Sequence, residues 1–271
     1  MIPATVEYLR ASSVDEALAA LAKPDAKLLA GGQSLLPAMK LRIARPSLVV
    51  DIGGLALGGV VERDGELVIG ALVTWDELER AELLRRPAYR ALAECAAGIG
   101  DLQVRNRGTI GGGLAHADPA SDMPAVTLAL GAHLRLRSPD GVRTLNAAEL
   151  FLGPFTTALS EGELITEVVI PVPPASSGSA YVAVEHPASG FALAGAAAFV
   201  KPDGSSRVAL TGVAAAPFLL EGDRGEAIAA AEIFGDRFAP VDYRRHLART
   251  VVRRAIELAK ARAEEDATWT A

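Results

Sequence analysis

Two glycine-rich segments constrain the fold of this chain more than any other feature of its sequence. The first is Leu29-Ala30-Gly31-Gly32-Gln33-Ser34-Leu35, and the second is Gly108-Thr109-Ile110-Gly111-Gly112-Gly113 with its continuation to Asp122. Glycine has no Cβ atom, so its backbone can approach a ligand closely and accepts positive φ angles. Successive amides in a tight turn form a concave site for anions, and Ser34 and Thr109 add hydroxyl groups beside them. Both segments therefore suit a diphosphate.

A purely structural role for these segments is the alternative. The chain contains 26 glycines, and glycine is common in turns of every kind. No Lys or Arg lies among the glycines of either segment, so anion binding there would rest on backbone dipoles. Other nucleotide motifs are absent from the sequence. No Walker A sequence occurs, and Gly98-Ile99-Gly100 is followed by Gln103 where the dinucleotide fingerprint requires glycine.

Composition narrows the class of protein. The 271 residues are 50% hydrophobic with a formal net charge of −6, which is typical of a globular protein and argues against a nucleic-acid partner. No run of about 20 apolar residues spans a membrane and the N-terminus lacks a signal-peptide pattern, so we expect a cytoplasmic protein. The single cysteine, Cys95, excludes an internal disulfide and a self-contained iron–sulfur cluster. The scattered histidines predict no metal site, and we predict no catalytic side chain.

Local patterns predict helices and strands in two parts, with strands followed by helices, an α+β pattern, in the C-terminal part. Capping boxes at Ser13–Glu16 and Thr74–Glu77 start helices, and a further helix is expected over 87–97. Strands are expected at 27–30, 48–52, 67–69, 132–137 and 164–170, the fourth from its alternation of apolar and basic residues. Residues 171–179, which read PVPPASSGS, are interpreted as a linker. Beyond them we expect strands at 180–185, 195–200 and 207–213, then helices near 225–233 and 241–262.

The two glycine segments together resemble one family. The chain is similar to the medium, FAD-binding subunit of molybdenum hydroxylases, which includes the carbon monoxide dehydrogenase flavoprotein and the FAD domain of xanthine dehydrogenase. Besides both segments, the matching residues are Met1-Ile2-Pro3, Val50-Asp51-Ile52, Gln103-Val104-Arg105-Asn106, Asp118-Pro119-Ala120-Ser121-Asp122, Val169-Ile170-Pro171, Tyr243-Arg244 and Arg253-Arg254-Ala255. The resemblance covers essentially the whole chain.

The resemblance implies a fold and a set of FAD-binding residues. It implies an α+β protein with a two-subdomain FAD-binding fold of the vanillyl-alcohol-oxidase (PCMH) type. The FAD-binding domain is expected over 1–173, with subdomains of about 1–55 and 56–173, and a small C-terminal α+β domain over 174–271. Both segments would hold the pyrophosphate, Asp122 the ribose hydroxyls, and the region around Leu164 and Phe191 the flavin ring. The implied FAD-binding residues are Leu29, Ala30, Gly31, Gly32, Gln33, Ser34, Leu35, Val104, Gly108, Thr109, Ile110, Gly111, Gly112, Gly113, His116, Asp118, Asp122, Leu164, Ile165 and Phe191.

The sequence departs from the family pattern at three places. The family reads asparagine where this chain has Gly113, which removes one side-chain hydrogen bond. Ala183 replaces a lysine often found there, and His186-Pro187 replaces a more basic stretch. These departures bear on the redox potential and the electron acceptor rather than on FAD binding itself.

The resemblance also implies a role and partners. This oxidoreductase subunit would take electrons from [2Fe–2S] clusters of a small iron–sulfur subunit, which receive them from a large molybdopterin subunit, and FAD would deliver them to an external acceptor. The three subunits would form a heterohexamer. A stand-alone flavin oxidoreductase and a non-catalytic nucleotide-binding protein are the alternatives. The arginine-rich last helix is either a partner surface or a solvated charged face.

Overall fold

The computed structural model describes residues 2–269, with side chains through Glu265. Met1, part of the matching N-terminal residues, and Thr270 and Ala271, part of the expected C-terminal domain, lie outside the described residues. Within them the chain forms three main β-sheets, a small hairpin and the helices between them. The fold is a mixture of helices and strands, so the expected α+β class is confirmed.

The N-terminal sheet is parallel and three-stranded. Its strands are β1 (Glu7–Arg10), β2 (Ala26–Leu29) and β3 (Leu48–Asp51) in the order β1-β3-β2, and helices α1 (Val14–Leu21) and α2 (Leu35–Lys40) lie between them in the chain. The central strand β3 buries its three apolar residues, as expected for a strand in the middle of a parallel sheet. In this register Asp51 lies between Arg10 and Leu29. The first glycine segment therefore leaves the sheet at its carboxyl edge.

The second sheet is antiparallel and contributes residues to the largest hydrophobic core. Its strands are β4 (Val60–Arg63), β5 (Glu66–Gly70), β6 (His133–Ser138), β7 (Gly141–Asn146) and β10 (Leu164–Pro171), in the order β4-β5-β10-β6-β7. The chain between β5 and β6 is helical and contains α3 (Trp75–Arg80), a 3-10 helix (Glu82–Arg85), α4 (Arg90–Gly98), α5 (Leu102–Arg105), α6 (Ile110–His116) and α7 (Met123–Leu130). Between β7 and β10 it forms α8 (Ala147–Leu150) and a hairpin of β8 (Phe151–Gly153) and β9 (Thr156–Thr157). The expected alternation holds on β6, because Leu134 and Leu136 are fully buried while Arg135 pairs with Glu66 and Glu167.

The third sheet is covered on both faces. It contains β11 (Gly178–Glu185), β12 (Ala192–Val200), β13 (Ser206–Thr211) and β14 (Phe218–Leu219) in chain order, followed by α9 (Arg224–Ala230) and α10 (Val241–Trp269). Helix α10 packs its Leu247, Val251 and Ala255 in one core with alternate alanines of β12. The intervening residues Ala197 and Phe199 belong instead to the large core that contains α4 and α7. Strand β12 is alanine-rich because helices cover it on both sides.

Most predicted elements are confirmed, and the differences have local causes. Thr74 forms a complete capping box with Glu77, whereas Glu16 accepts from Ser12 instead of closing a box with Ser13. Strands β1, β4 and β7 were missed because Leu145 is the one buried residue among them and they show no clear apolar alternation. The linker prediction was too long, because Gly178 and Ser179 belong to β11 and are buried.

The last helix uses some of its arginines inside the protein. Arg244 is buried and donates hydrogen bonds to the carbonyl oxygens of Leu193 and Gly212. Arg262 is also buried, donates to the carbonyl oxygen of Ser179 at 2.8 Å and pairs with Glu94 on α4. The solvated-face and partner-surface interpretations therefore do not apply to Arg244, which holds the C-terminal fold together.

Candidate cofactor site

The first glycine segment forms an open turn between β2 and α2. Gly32 has φ +74°, a left-handed conformation that glycine adopts without strain. Among the hydrogen bonds of the described residues, none is donated by the backbone amides of residues 31–34. Gln33 and Ser34 are exposed, and Leu35 is half-buried as the first residue of α2. The turn thus offers several consecutive amides to an outside acceptor.

The second glycine segment is built differently. Thr109 caps α6, because its hydroxyl oxygen accepts from the amide of Gly112 at 3.2 Å. The amides of Ile110 and Gly111 donate to the carbonyl oxygens of Val73 and Ala71, and the Gly113 amide donates to the carbonyl oxygen of Thr109. The start of α6 and the neighbouring chain thus use the amides of residues 110–113, and the contact of this segment with the pyrophosphate stays a prediction. The Thr109 hydroxyl hydrogen remains available for donation.

The two segments contact each other. A Cβ atom on Gly31 would lie 1.8 Å from the carbonyl oxygen of Arg107 and 2.9 Å from the Cα atom of Gly108. A Cβ atom on Gly112 would lie 3.9 Å from the Cβ atom of Ala30. The structure therefore brings residues 29–35 and 108–113 together into one cradle, which neither segment forms alone. The glycines are needed for this contact between backbones as well as for any contact with a ligand.

Trp75 explains the departure at Gly113. A Cβ atom on Gly113 would lie 2.8 Å from Cζ2 of Trp75, and one on Gly108 would lie 2.6 Å from its Nε1 atom. Trp75 is buried at the start of α3. The indole therefore fills the space in which an asparagine side chain would begin. Trp75 was missed by the sequence reasoning, although it directly follows the residue that starts the predicted capping box.

The remaining predicted site residues lie around the cradle in several environments. Val104 packs against Gly100, because a Cβ atom on Gly100 would lie 2.8 Å from the Cγ1 atom of Val104. The ring of His116 lies 5.2 Å from that of Phe155, and Asp118 accepts from the amide of Ala120 at 2.9 Å. The contacts of His116 and Asp118 lie where the chain leaves α6.

Leu164 and Ile165 lie at the start of β10 and face opposite sides. Leu164 belongs to the core of the N-terminal sheet, and Ile165 belongs to the large core. Each side chain is 4% exposed. The two residues join the two cores at this point of the chain, and their contact with a flavin ring stays a prediction.

Phe191 directly precedes β12 in the C-terminal sheet. It is half exposed and lines a cavity of about 490 Å³ together with His186 and Phe238. Pro119 and Ala120, which follow the second glycine segment, line the same cavity. This cavity therefore extends from the chain beyond α6 to the C-terminal domain, and Phe191 stays a predicted flavin neighbour.

Asp122 binds a tyrosine of the C-terminal domain. Its carboxylate accepts a hydrogen bond from the Tyr181 hydroxyl, which occupies the space where a Cβ atom on Gly195 would lie. Burial and the negative charges of Glu185 and Asp118 raise the pKa of Asp122 to about 6, against the opposing effect of the Tyr181 hydrogen bond. The contact of Asp122 with the ribose hydroxyls stays a prediction, and Tyr181 is a partner that the sequence reasoning missed.

The raised pKa of Asp122 predicts a pH dependence of stability. The folded protein holds the proton more tightly than the unfolded chain, so its free energy of unfolding should fall as pH rises from about 4 to about 6 and then level off. Asp122→Asn should remove this fall, which we expect to be on the order of 1–3 kcal/mol. Urea unfolding between pH 4 and 8 measures it, with Asp140→Asn as the exposed control. Parallel pH profiles for the wild type and Asp122→Asn would contradict the assignment.

The geometry fits the diphosphate of a flavin nucleotide, and comparison with known proteins supports this. Residues 4–173 match the model of the FAD-binding domain in molybdopterin dehydrogenase. The chain belongs to this family, and FAD is the cofactor of the domain. It is accordingly an oxidoreductase subunit of the molybdenum hydroxylase type, as the resemblance implied.

Several relatives match over most of their length. The carbon monoxide dehydrogenase medium chain of Hydrogenophaga pseudoflava is 38% identical over 97% of this chain and 99% of its own. The glyceraldehyde dehydrogenase medium chain of Sulfolobus acidocaldarius is 39% identical over 80% of this chain and 79% of its own. A solved carbon monoxide dehydrogenase from Hydrogenophaga pseudoflava that lacks the Mo-pyranopterin moiety of its cofactor contains a chain with TM-score 0.92 and 39% identity, covering 97% of this chain and 99% of that one.

No helix among residues 2–269 is both long enough and apolar enough to cross a membrane.

Proposed function

We propose that this chain binds FAD in the glycine cradle and passes electrons from a partner subunit to an external acceptor. The observation that carries the proposal is the contact between the two glycine segments, with the amides of residues 31–34 left without an acceptor among the described residues. Bound FAD supplies both one-electron and two-electron chemistry. The chain's own residues hold the diphosphate with these amides and the Thr109 hydroxyl. The remaining FAD-binding residues implied by the resemblance are part of the same proposal.

We further propose the partners and the place of the domains. A small subunit with [2Fe–2S] clusters would deliver electrons that originate at a large molybdopterin subunit, in a cytoplasmic heterohexamer. The support is that relatives are named medium chains of dehydrogenases with different substrates, and that Cys95 is the single thiol of this chain. The FAD-binding domain would cover residues 1–173, with subdomains of about 1–55 and 56–173, and the C-terminal domain residues 174–271. The substrate is set by the large subunit, which this chain does not contain.

A reduction experiment tests the electron-transfer role. The chain, loaded with FAD, is mixed with the substrate of the complex in the presence or absence of the co-purified partner subunits. Flavin bleaching should require the complete complex, because we expect no catalytic side chain for a substrate in this chain. Bleaching by the isolated chain would instead support a stand-alone flavin oxidoreductase. Tight FAD binding without any bleaching in the complete complex would support a non-catalytic role.

A further inference from the structure

The carboxyl edge of the N-terminal sheet carries charged residues beside the first glycine segment. Asp51 lies next to Leu29 in the sheet register, and a Cβ atom on Gly53 would lie 3.9 Å from the carbonyl oxygen of Ala30. The Asp51 carboxylate accepts from the Tyr8 hydroxyl at 2.6 Å and from the Gly53 amide at 2.8 Å. Asp51 is therefore already held by neutral donors.

Two arginines surround this carboxylate. Arg10 lies opposite Asp51 in the sheet register, and its Nη2 atom would be 3.1 Å from a Cβ atom on Gly54. Burial alone raises the pKa of Asp51, but the Tyr8 and Gly53 hydrogen bonds and the charges of Arg10 and Arg107 lower it overall. Both guanidinium groups therefore act on the edge of the sheet where the glycine segment begins.

Arg107 also contacts the cradle through its backbone. Its carbonyl oxygen is the atom against which Gly31 packs, so its side chain starts at the junction of the two glycine segments. Within the described residues, neither the Arg10 nor the Arg107 guanidinium donates a hydrogen bond to protein or forms an ion pair within 4 Å. Both are exposed. Among the described residues, the two guanidinium groups whose charges act on Asp51 thus have no protein acceptor of their own.

We propose that Arg107, assisted by Arg10, binds the diphosphate and makes the cradle select FAD over flavins that lack it. The planar guanidinium group donates paired hydrogen bonds to phosphate oxygens, which complements the single N–H groups of residues 31–34. The inference rests on the proposed FAD function and adds its specificity-determining residues. From the sequence, the diphosphate was expected to contact backbone amides and the hydroxyl groups of Ser34 and Thr109, with no arginine taking part.

Binding measurements with three probes test this inference. FAD contains both the flavin and the diphosphate. ADP contains the diphosphate without the flavin, and riboflavin contains the flavin without the diphosphate. Arg107→Ala should weaken FAD and ADP binding by about 10-fold, as for loss of a partly solvated charged hydrogen bond. Arg10→Ala should weaken both by a smaller factor. Riboflavin affinity should not change, and FAD affinity should depend less on salt in Arg107→Ala than in the wild type.

The control is Arg254→Ala, which removes the same charge from an exposed position on α10. The inference would be overturned if the wild type binds FAD and the FAD affinities of Arg107→Ala and Arg10→Ala equal that of Arg254→Ala. The proposed function would still stand after that result. Equal losses for FAD and riboflavin would also overturn it, because the arginines would then act on the fold. A wild type that binds neither FAD nor ADP would overturn the proposed function itself.

Discussion

Gly31→Ala is expected to reduce FAD affinity by roughly 100-fold or more without unfolding the protein. The added Cβ atom would lie 1.8 Å from the carbonyl oxygen of Arg107, so the two glycine segments must separate by more than about 1 Å. Binding sites depend on positions held within about 0.5 Å. The amides of residues 31–34 and the Thr109 hydroxyl would then no longer reach the same diphosphate. FAD titration followed by flavin fluorescence measures the loss.

Gly58→Ala is the matched control for this variant. Gly58 lies in the loop between β3 and β4, and a Cβ atom there has no neighbour within 4 Å. Its FAD affinity and melting temperature should equal those of the wild type. Circular dichroism must show that Gly31→Ala is folded before its affinity is interpreted. A folded Gly31→Ala protein with wild-type affinity would show that the contact between the segments does not form the FAD site.

Gly178→Ala is expected to destabilise the C-terminal domain by about 3 kcal/mol, at the upper end of the range for overpacked sites. The new Cβ atom would lie 2.1 Å from the carbonyl oxygen of Ala259 and 2.5 Å from the amide nitrogen of Ala263. Both belong to the backbone of α10, which cannot rotate away as a side chain can. Helix α10 would have to move off β11 and open the core that it shares with β12. Urea unfolding measures the change in free energy.

Gly153→Ala provides the control for overpacking, because a Cβ atom there has no neighbour within 4 Å. The urea concentration at the midpoint of its unfolding should equal that of the wild type. FAD affinity gives a second readout for Gly178→Ala, since its glycine lies outside the cradle. We expect that affinity to fall less than in Gly31→Ala. An unfolding midpoint for Gly178→Ala that matches Gly153→Ala would contradict the close packing of α10 on β11.

Residue patterns predicted the elements that carry strong periodicity. The alternation around Leu134 and Leu136 and the capping box at Thr74 both correspond to the structure. The linker prediction failed at Gly178 because small residues have two different uses. They are typical of flexible linkers, and they also allow a helix backbone to approach a strand. Only the position of α10 distinguishes the two uses, and that position depends on distant parts of the chain.

The structure brings the two glycine segments together through contacts that the sequence reasoning did not use. From the sequence, the glycines of both segments were explained by close approach of the backbone to phosphate. In the structure a Cβ atom at Gly32 meets Leu36 at 2.9 Å, and one at Gly112 meets the Thr109 hydroxyl oxygen at 2.9 Å. The obstacles are thus within the protein. Tertiary contacts of this kind leave no local pattern, which is why Trp75 and Tyr181 were also missed.

The flavin content of the purified chain tests the assignment of the glycine cradle most directly. An absorption spectrum recorded before and after incubation with FAD, with the released cofactor identified by mass, measures it. We predict a flavin spectrum with one FAD for each chain, either as purified or after incubation. A folded chain that stays colourless after incubation with FAD would contradict the assignment of the cradle as a flavin nucleotide site.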